Sequence, residues 1–274
     1  EHGGICDDKR PVGDERLQCA GREARGIERG LRAELYQFEE LQDDHVVEPW
    51  MQVSWAVKTS DYGVPVIKHR SEDHEGVHGA WKVEPPIRDL DRDFEQLRPR
   101  TFAVDRDATR ERVARMEELF DGILPVRIRG SQWWTMGMTI HAIDLIGLEE
   151  LMMAMYDNPD GLHRLMAFLR DDHLAFARWL EAEGLLTLDN ENDYIGSGSM
   201  GYTHGLPRPG MNGTVRTQDK WVLLESQETV GVGPDQFAEF IFPYQRDIAR
   251  HFGRVYYGCC EPVHTRWHVI DRLD

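Results

Sequence analysis

The sequence predicts an α/β fold of the (β/α)8 TIM-barrel type, cut short at one or both ends, and three observations predict it. Short apolar runs alternate with segments of helical periodicity. Strands alternating with helices imply a parallel sheet buried on both faces. Each polar cluster follows directly on an apolar run, at the strand ends where barrels of this kind carry their sites. No repeat, low-complexity stretch or Gly/Ser linker divides the 274 residues. One domain is therefore expected over 1–274, with an excursion at about 61–99 where charge and Pro are frequent.

Helical spacing of Leu31, Leu35 and Phe38 marks a helix from about Arg22 to Leu41. His45–Trp50 follows as a short buried strand ending at a proline. Asp107 stands as the cap of a helix to about Phe120 that turns Val113, Met116 and Leu119 or Phe120 inward. Ile123–Ile128 is the next strand. Two helices come after it, one over about Gly147–Tyr156 and one from Pro159, a favourable first-turn residue, to about Glu183. Leu185–Leu188 is a strand feeding the glycine-rich Gly196–Tyr202. Trp221–Leu224 and Arg254–Tyr257 are the last two strands, separated by one helix from Asp235 to about Phe252.

Hydrophobic residues make up 41% and charged residues 30%, a globular composition. A net charge of −17 repels nucleic acid and anionic membrane, so neither is expected as a general partner. A small anion held by local arginines remains compatible. No apolar run approaches bilayer-spanning length, and residues 1–10 do not read as a signal peptide. Cys259 and Cys260 are adjacent, and with Cys6 and Cys19 they suit a disulfide framework poorly. A reducing, cytoplasmic compartment is expected.

The sharpest chemistry lies in Gly258-Cys259-Cys260-Glu261-Pro262-Val263-His264. A thiolate at a buried strand end is a soft ligand suited to zinc, with Glu261 and His264 as further donors or proton carriers. Successive strand residues point opposite ways, so one cysteine of the pair is expected to face the site. Glu225-Ser226-Gln227-Glu228 is second. Ionisable groups straight after four apolar residues are costly to bury without a partner or a role. Glu225 and Glu228 suit acid–base work, and Gln227 suits substrate binding or support of a ligand shell. Third, Asn190-Glu191-Asn192-Asp193 runs into the glycine-rich stretch, whose amides can approach an anion closely. Asn190 and Asp193 are the candidate substrate contacts there, and no phosphate-loop or dinucleotide fingerprint is present. Glu48 is a candidate acid at a strand end, and Arg127 and Arg129, just past a strand, are candidate carboxylate clamps. Trp133-Trp134 and Met152-Met153 read as core or pocket wall. Plainer readings compete at each place: buried small cysteines, a solvated loop at Glu225, a mobile lid at the glycines, a surface histidine at 264. The chain shows no Ser-His-Asp signature and no His-Glu-x-x-His.

Leu224-Glu225-Ser226-Gln227-Glu228-Thr229-Val230-Gly231-Val232-Gly233-Pro234-Asp235-Gln236-Phe237-Ala238-Glu239-Phe240, continued by Phe242-Pro243-Tyr244, resembles a landmark of the uroporphyrinogen decarboxylase superfamily. There a strand ends in an acidic segment, and a helix begins near a proline and runs through Phe to Pro-Tyr. Pro125 to His163 is similar to another part of that family, and the resemblance extends from about Glu23 onward. It implies one of two chemistries. Zinc methyltransferases of the superfamily move a methyl group between a corrinoid and a thiol, using a His-x-Cys after the strand equivalent to Val255–Tyr257 and a later Cys. Cys259 matches that Cys, Tyr257 stands in place of the His, and the later Cys would fall beyond Asp274. The decarboxylases remove carboxyl groups from a porphyrinogen without a cofactor. Glu48 stands near their substrate-holding Asp, and their arginine-rich N-terminal motif is not recognisable. The resemblance leads to an expected zinc-dependent methyltransferase, with Cys259 or Cys260 on zinc, Glu225, Glu261 or His264 completing or supporting the shell, and a corrinoid protein as partner. The alternatives are a cofactor-free decarboxylase with Glu48 as acid, and a non-catalytic barrel that binds a corrinoid or tetrapyrrole.

Overall fold

Apolar spacing and glycine or proline punctuation resolve into eight α-helices and ten short strands among the residues described. The structure, a computed structural model, describes residues 12–70, 81–130 and 132–273; Cys6 and part of the expected excursion lie outside them. The chain divides into two compact units, residues 1–51 with 68–82 and residues 52–67 with 83–274.

In the first unit, α1 (Arg22–Tyr36) runs into a π-helical turn, Gln37–Leu41, that ends at Gln42 with φ 51°. The predicted helix forms, but Leu35 and Phe38 are 50% and 60% exposed, so its apolar stripe is not core-facing. The strand expected at His45–Trp50 does not form. Val46 and Val47 are exposed, and the first strand, β1 (Met51–Val53), begins two residues past Pro49, which has no N–H to give a ladder.

The second unit carries β2 (Val57–Thr59); β3 (Ile67–Arg70) and β4 (Trp81–Glu84), which pair, each have residues in both units. β5 (Phe102–Val104) pairs antiparallel with β2. α2 (Arg106–Phe120) is capped by Asp105, which accepts from the Ala108 amide at 2.9 Å, so the cap lies two residues before the expected Asp107. Val113, Met116 and Phe120 are half-buried and Leu119 is exposed. β6 (Val126–Ile128) pairs with β1. α3 (Thr139–Ile146), α4 (Leu148–Asp157) and α5 (Pro159–Ala182) follow, and the Asn158 side chain caps α5 through the Gly161 amide. β7 (Tyr194–Gly196) and β8 (Ser199–Met200) make a small antiparallel pair inside the glycine-rich stretch. The expected single helix over Asp235–Phe252 is broken into α6 (Pro234–Phe240) and α7 (Phe242–Ala249). Pro243 supplies no amide donor there, and Ile241 turns the chain at the break.

β9 (Trp221–Leu224) and β10 (Arg254–Tyr257) form as expected and pair in parallel, Trp221 opposite Arg254 and Leu224 opposite Tyr257. Alternation sorts the side chains of β9. Val222 and Leu224 enter the main core with Leu162, Leu165, Phe237 and Phe240, while Trp221 and Leu223 line a cavity. That core also takes in Tyr62, Val64, Ile87, Leu90 and Leu97, so much of the expected excursion is packed rather than looped out. Leu185–Leu188 is extended without a ladder. Side chains tie it instead: Thr187 Oγ1 meets the Gly130 N–H and C=O at 3.2 Å each, and Asp189 Oδ1 accepts from the Trp221 amide at 3.0 Å. The result is a mixed α/β arrangement of two-stranded pairs, with no closed barrel among the described residues. α8 (Trp267–Ile270) ends the described chain. No helix among the described residues is long and apolar enough to cross a membrane.

Candidate active site

Glu225 follows directly on the end of β9 and is 2% exposed. Its Oε1 accepts from the Thr135 hydroxyl at 3.2 Å and its Oε2 from the Gln227 amide at 3.1 Å. Burial pushes its pKa up to about 7, and the neighbouring Glu228 carboxylate adds to the rise. Glu228 is half-buried and accepts from the Thr139 hydroxyl at 2.7 Å. Gly137 leaves the space for this carboxyl: a Cβ there would lie 2.4 Å from the Glu225 carbonyl and 2.5 Å from Oε1.

Beyond β10 the chain bends at Gly258, with φ 111°. Cys259 and Cys260 therefore lie outside the strand, and strand alternation does not separate them. Their sulfurs are 3.6 Å apart, Cys259 half-buried and Cys260 exposed. Burial raises the Cys259 pKa; a bond from Ser197 offsets this in part, and Cys260 and the Glu225 charge add to the rise. The thiol is thus kept protonated at neutral pH, the reverse of what activates a nucleophilic cysteine. Glu261, 9% exposed, accepts from the Ser226 amide at 2.8 Å and the Cys259 amide at 3.0 Å. Gln245, fully buried on α7, donates to the Glu225 carbonyl at 2.7 Å and accepts from the Tyr257 hydroxyl at 2.9 Å. Glu261 and Gln245 thus bind the ends of β9 and β10 together. His264 is exposed on the Val263–Arg266 turn, whereas Arg266 is 3% exposed, bonded to the Thr229 and Val232 carbonyls, with its guanidinium 4.7 Å from the Phe237 ring.

The cavity under β9 has a volume of about 320 Å³. Trp133, Trp134, Asn192 and Asp193 line it, and Trp134 stacks on Tyr194 at 5.6 Å, so the tryptophan pair forms a pocket wall as expected. Arg129 is held by Asp193 through bonds of 2.9 and 2.6 Å. Its fork is therefore already engaged by a carboxylate of the chain. Arg127 is exposed. Asn190 donates to the Leu206 carbonyl at 2.8 Å and so fixes its loop.

The structure brings together Glu225, Gln227, Glu228, Cys259 and Glu261 at two adjoining strand ends. It brings Arg129 and Asp193 together at the cavity. Glu48 is half-exposed and belongs to the other unit. Sequence reasoning missed Lys220, 2% exposed at the cavity, whose Nζ lies 2.7 Å from Asp189 Oδ2 and 2.6 Å from the Thr187 carbonyl. It also missed Thr135 and Gln245. The available signal for Lys220 was a lone cation abutting the apolar run Trp221–Leu224. Compared with known proteins, the chain matches no family model, no curated protein and no solved structure.

Proposed function

We propose that the chain is an acid–base enzyme of the uroporphyrinogen decarboxylase-like kind, a carboxy-lyase acting on a small carboxylate. Its β1, β6, β9 and β10, with Leu185–Asp189, are on this reading staves of a (β/α)8 barrel. The observation that carries the reading is Glu225: a buried carboxyl at a strand end, with a pKa of about 7. A group poised near the working pH serves well as a proton donor. Glu225 gives a proton to the unsaturated carbon that bears the substrate carboxylate. The bond to the carboxylate then breaks, its electron pair restores the unsaturation, and carbon dioxide leaves. Solvent returns the proton to Glu225. The cavity lined by Trp221 and Leu223, of the strand that Glu225 follows, measures about 320 Å³, at the lower end of the roughly 300–1,000 Å³ range of ligand pockets, which favours a small acid over a tetrapyrrole. Glu225→Gln is expected to lower carbon dioxide release from a panel of aromatic and unsaturated acids by about 10²–10⁴-fold. Full activity in that variant would overturn the reading.

A second reading, zinc-dependent methyl transfer between a corrinoid borne by a partner protein and a thiol, is favoured by the sulfur separation of 3.6 Å. Two thiolates on one tetrahedral zinc at ~2.3 Å each lie roughly 3.8 Å apart. The donor set does not complete a shell. Both Glu261 oxygens are taken by backbone amides, His264 is exposed on its turn, and no group of three metal-ligating side chains occurs among the described residues. Metal content, measured with and without Cys259→Ser plus Cys260→Ser, decides between the readings. Near-stoichiometric zinc that the double variant loses would put methyl transfer first.

A further inference from the structure

The sulfurs of Cys259 and Cys260 have a use that needs no metal. They lie 3.6 Å apart, already in contact. Gly258 brings this about: at φ 111° it turns the chain out of β10, and the two side chains escape the alternation that sends neighbours in a strand to opposite faces. The two thiols are unequally placed. Cys260 is exposed and open to a reagent from solvent, whereas Cys259 is half-buried. An accessible thiol that reacts first, beside a neighbour that resolves the product, is the arrangement of a redox-active dithiol. Among the described residues no third metal-ligating side chain joins the pair, so the sulfurs are left to each other.

We propose that Cys259 and Cys260 form a thiol–disulfide exchange site whose substrates are small-molecule disulfides. The Cys260 thiolate attacks one sulfur of the small disulfide. A bond from Cys260 Sγ to that sulfur forms, the bond within the small disulfide breaks, and its other half leaves as a thiolate that takes up a proton. Cys259 then loses its proton to water and attacks Cys260 Sγ. The Cys259–Cys260 disulfide forms, and the second half of the reagent leaves, taking up a proton in its turn. Two protein thiols are oxidised and one disulfide is reduced to two thiols, so the reagent receives both electrons and both protons.

The closed form holds strain. Neighbouring Cα atoms across a trans peptide are about 3.8 Å apart, less than the roughly 4.4–6.8 Å that relaxed disulfides span. A strained, exposed disulfide is readily reduced, which suits reversible exchange rather than a permanent crosslink. Closure also bears on Glu225. Drawing the sulfurs from 3.6 to about 2.0 Å shifts the backbone of Cys259, whose amide Glu261 holds together with that of Ser226, next to Glu225. That oxidation lowers carbon dioxide release rests on the decarboxylase reading; that the disulfide forms does not.

The test treats the full chain with oxidised glutathione over a range of concentrations and blocks the remaining thiols with N-ethylmaleimide. Mass spectrometry then weighs the tryptic peptide 255–266, which carries this pair and neither Cys6 nor Cys19. The peptide is expected to lose both labels together and to come out two hydrogens lighter than its reduced form, and dithiothreitol should restore both labels. Cys259→Ser should stop at a glutathione adduct on Cys260, and Cys260→Ser should react at least about tenfold more slowly. The folded chain should be half-oxidised at a roughly tenfold lower ratio of oxidised to reduced glutathione than the same chain in urea, because the fold holds the sulfurs together. Both labels retained, a separate adduct on each sulfur, a disulfide joining two chains, or equal oxidation in urea would overturn the proposal. Zinc held by the pair would show as the first of these. Failure of the decarboxylase reading looks different: the disulfide forms, and neither state of the chain releases carbon dioxide.

Discussion

Glu225 is the residue on which burial acts most directly. Its pKa rises from 4.5 to about 7 on folding. Between those values the folded chain holds a proton that the unfolded chain has released. Its contribution to stability is therefore fully present below about pH 4.5 and is lost as pH rises to about 7. At ~1.4 kcal/mol per unit, the loss is of the order of 3 kcal/mol. Urea unfolding at pH 5, 6 and 8 should show this slope in the wild type and a flatter one in Glu225→Gln. Parallel slopes would mean that Glu225 titrates normally. Gly137→Ala tests the same carboxyl from the other side. The added methyl has no room beside the Glu225 carbonyl and Oε1, and overpacking of this kind costs roughly 1–3 kcal/mol. A variant as stable as the wild type would show that the segment yields.

Among the elements, α2 offers a clean comparison. Asp105→Ala removes the side chain that accepts from the Ala108 amide and should cost about 1 kcal/mol of stability. Asp107→Ala, two residues past the cap, should change little. The reverse order in chemical denaturation would restore Asp107 as the cap. What was legible in the sequence follows the same logic. β9 and the helices α4 and α5 were readable because burial on both faces, or on one wide stripe, imposes an unbroken apolar pattern. Glu225 stood out for the same reason, as a carboxyl joined to such a run. Leu185–Leu188 has the apolar run but not the ladder, because Thr187 and Asp189 side chains supply its cross-links. Val46 and Val47 have β-branched side chains and no buried face. Thr135 and Gln245 were illegible because their roles depend on partners 90 and 20 residues away, and one chain read in order carries no such pairing.

Across the whole molecule, 49 acidic residues oppose 32 basic ones, for a net charge of −17. Self-repulsion of that size weakens the compact state and is screened over a Debye length of about 10 Å at 0.1 M salt. The thermal midpoint should therefore rise as sodium chloride increases from about 0.01 to 0.15 M and then level off. A midpoint that falls over that range would show that the surface ion pairs, such as Arg106–Glu183 and Arg170–Asp247, outweigh the net repulsion.

Glu261 takes the amide hydrogens of Ser226 and Cys259, one on each oxygen, where two neighbouring strands end. Those two hydrogens are guarded by a single latch. Neither can meet deuterium oxide until the Glu261 side chain lets go, so their isotope exchange should follow one shared opening and show similar protection factors. In Glu261→Gln, with one acceptor oxygen left, only one of the two should stay slow.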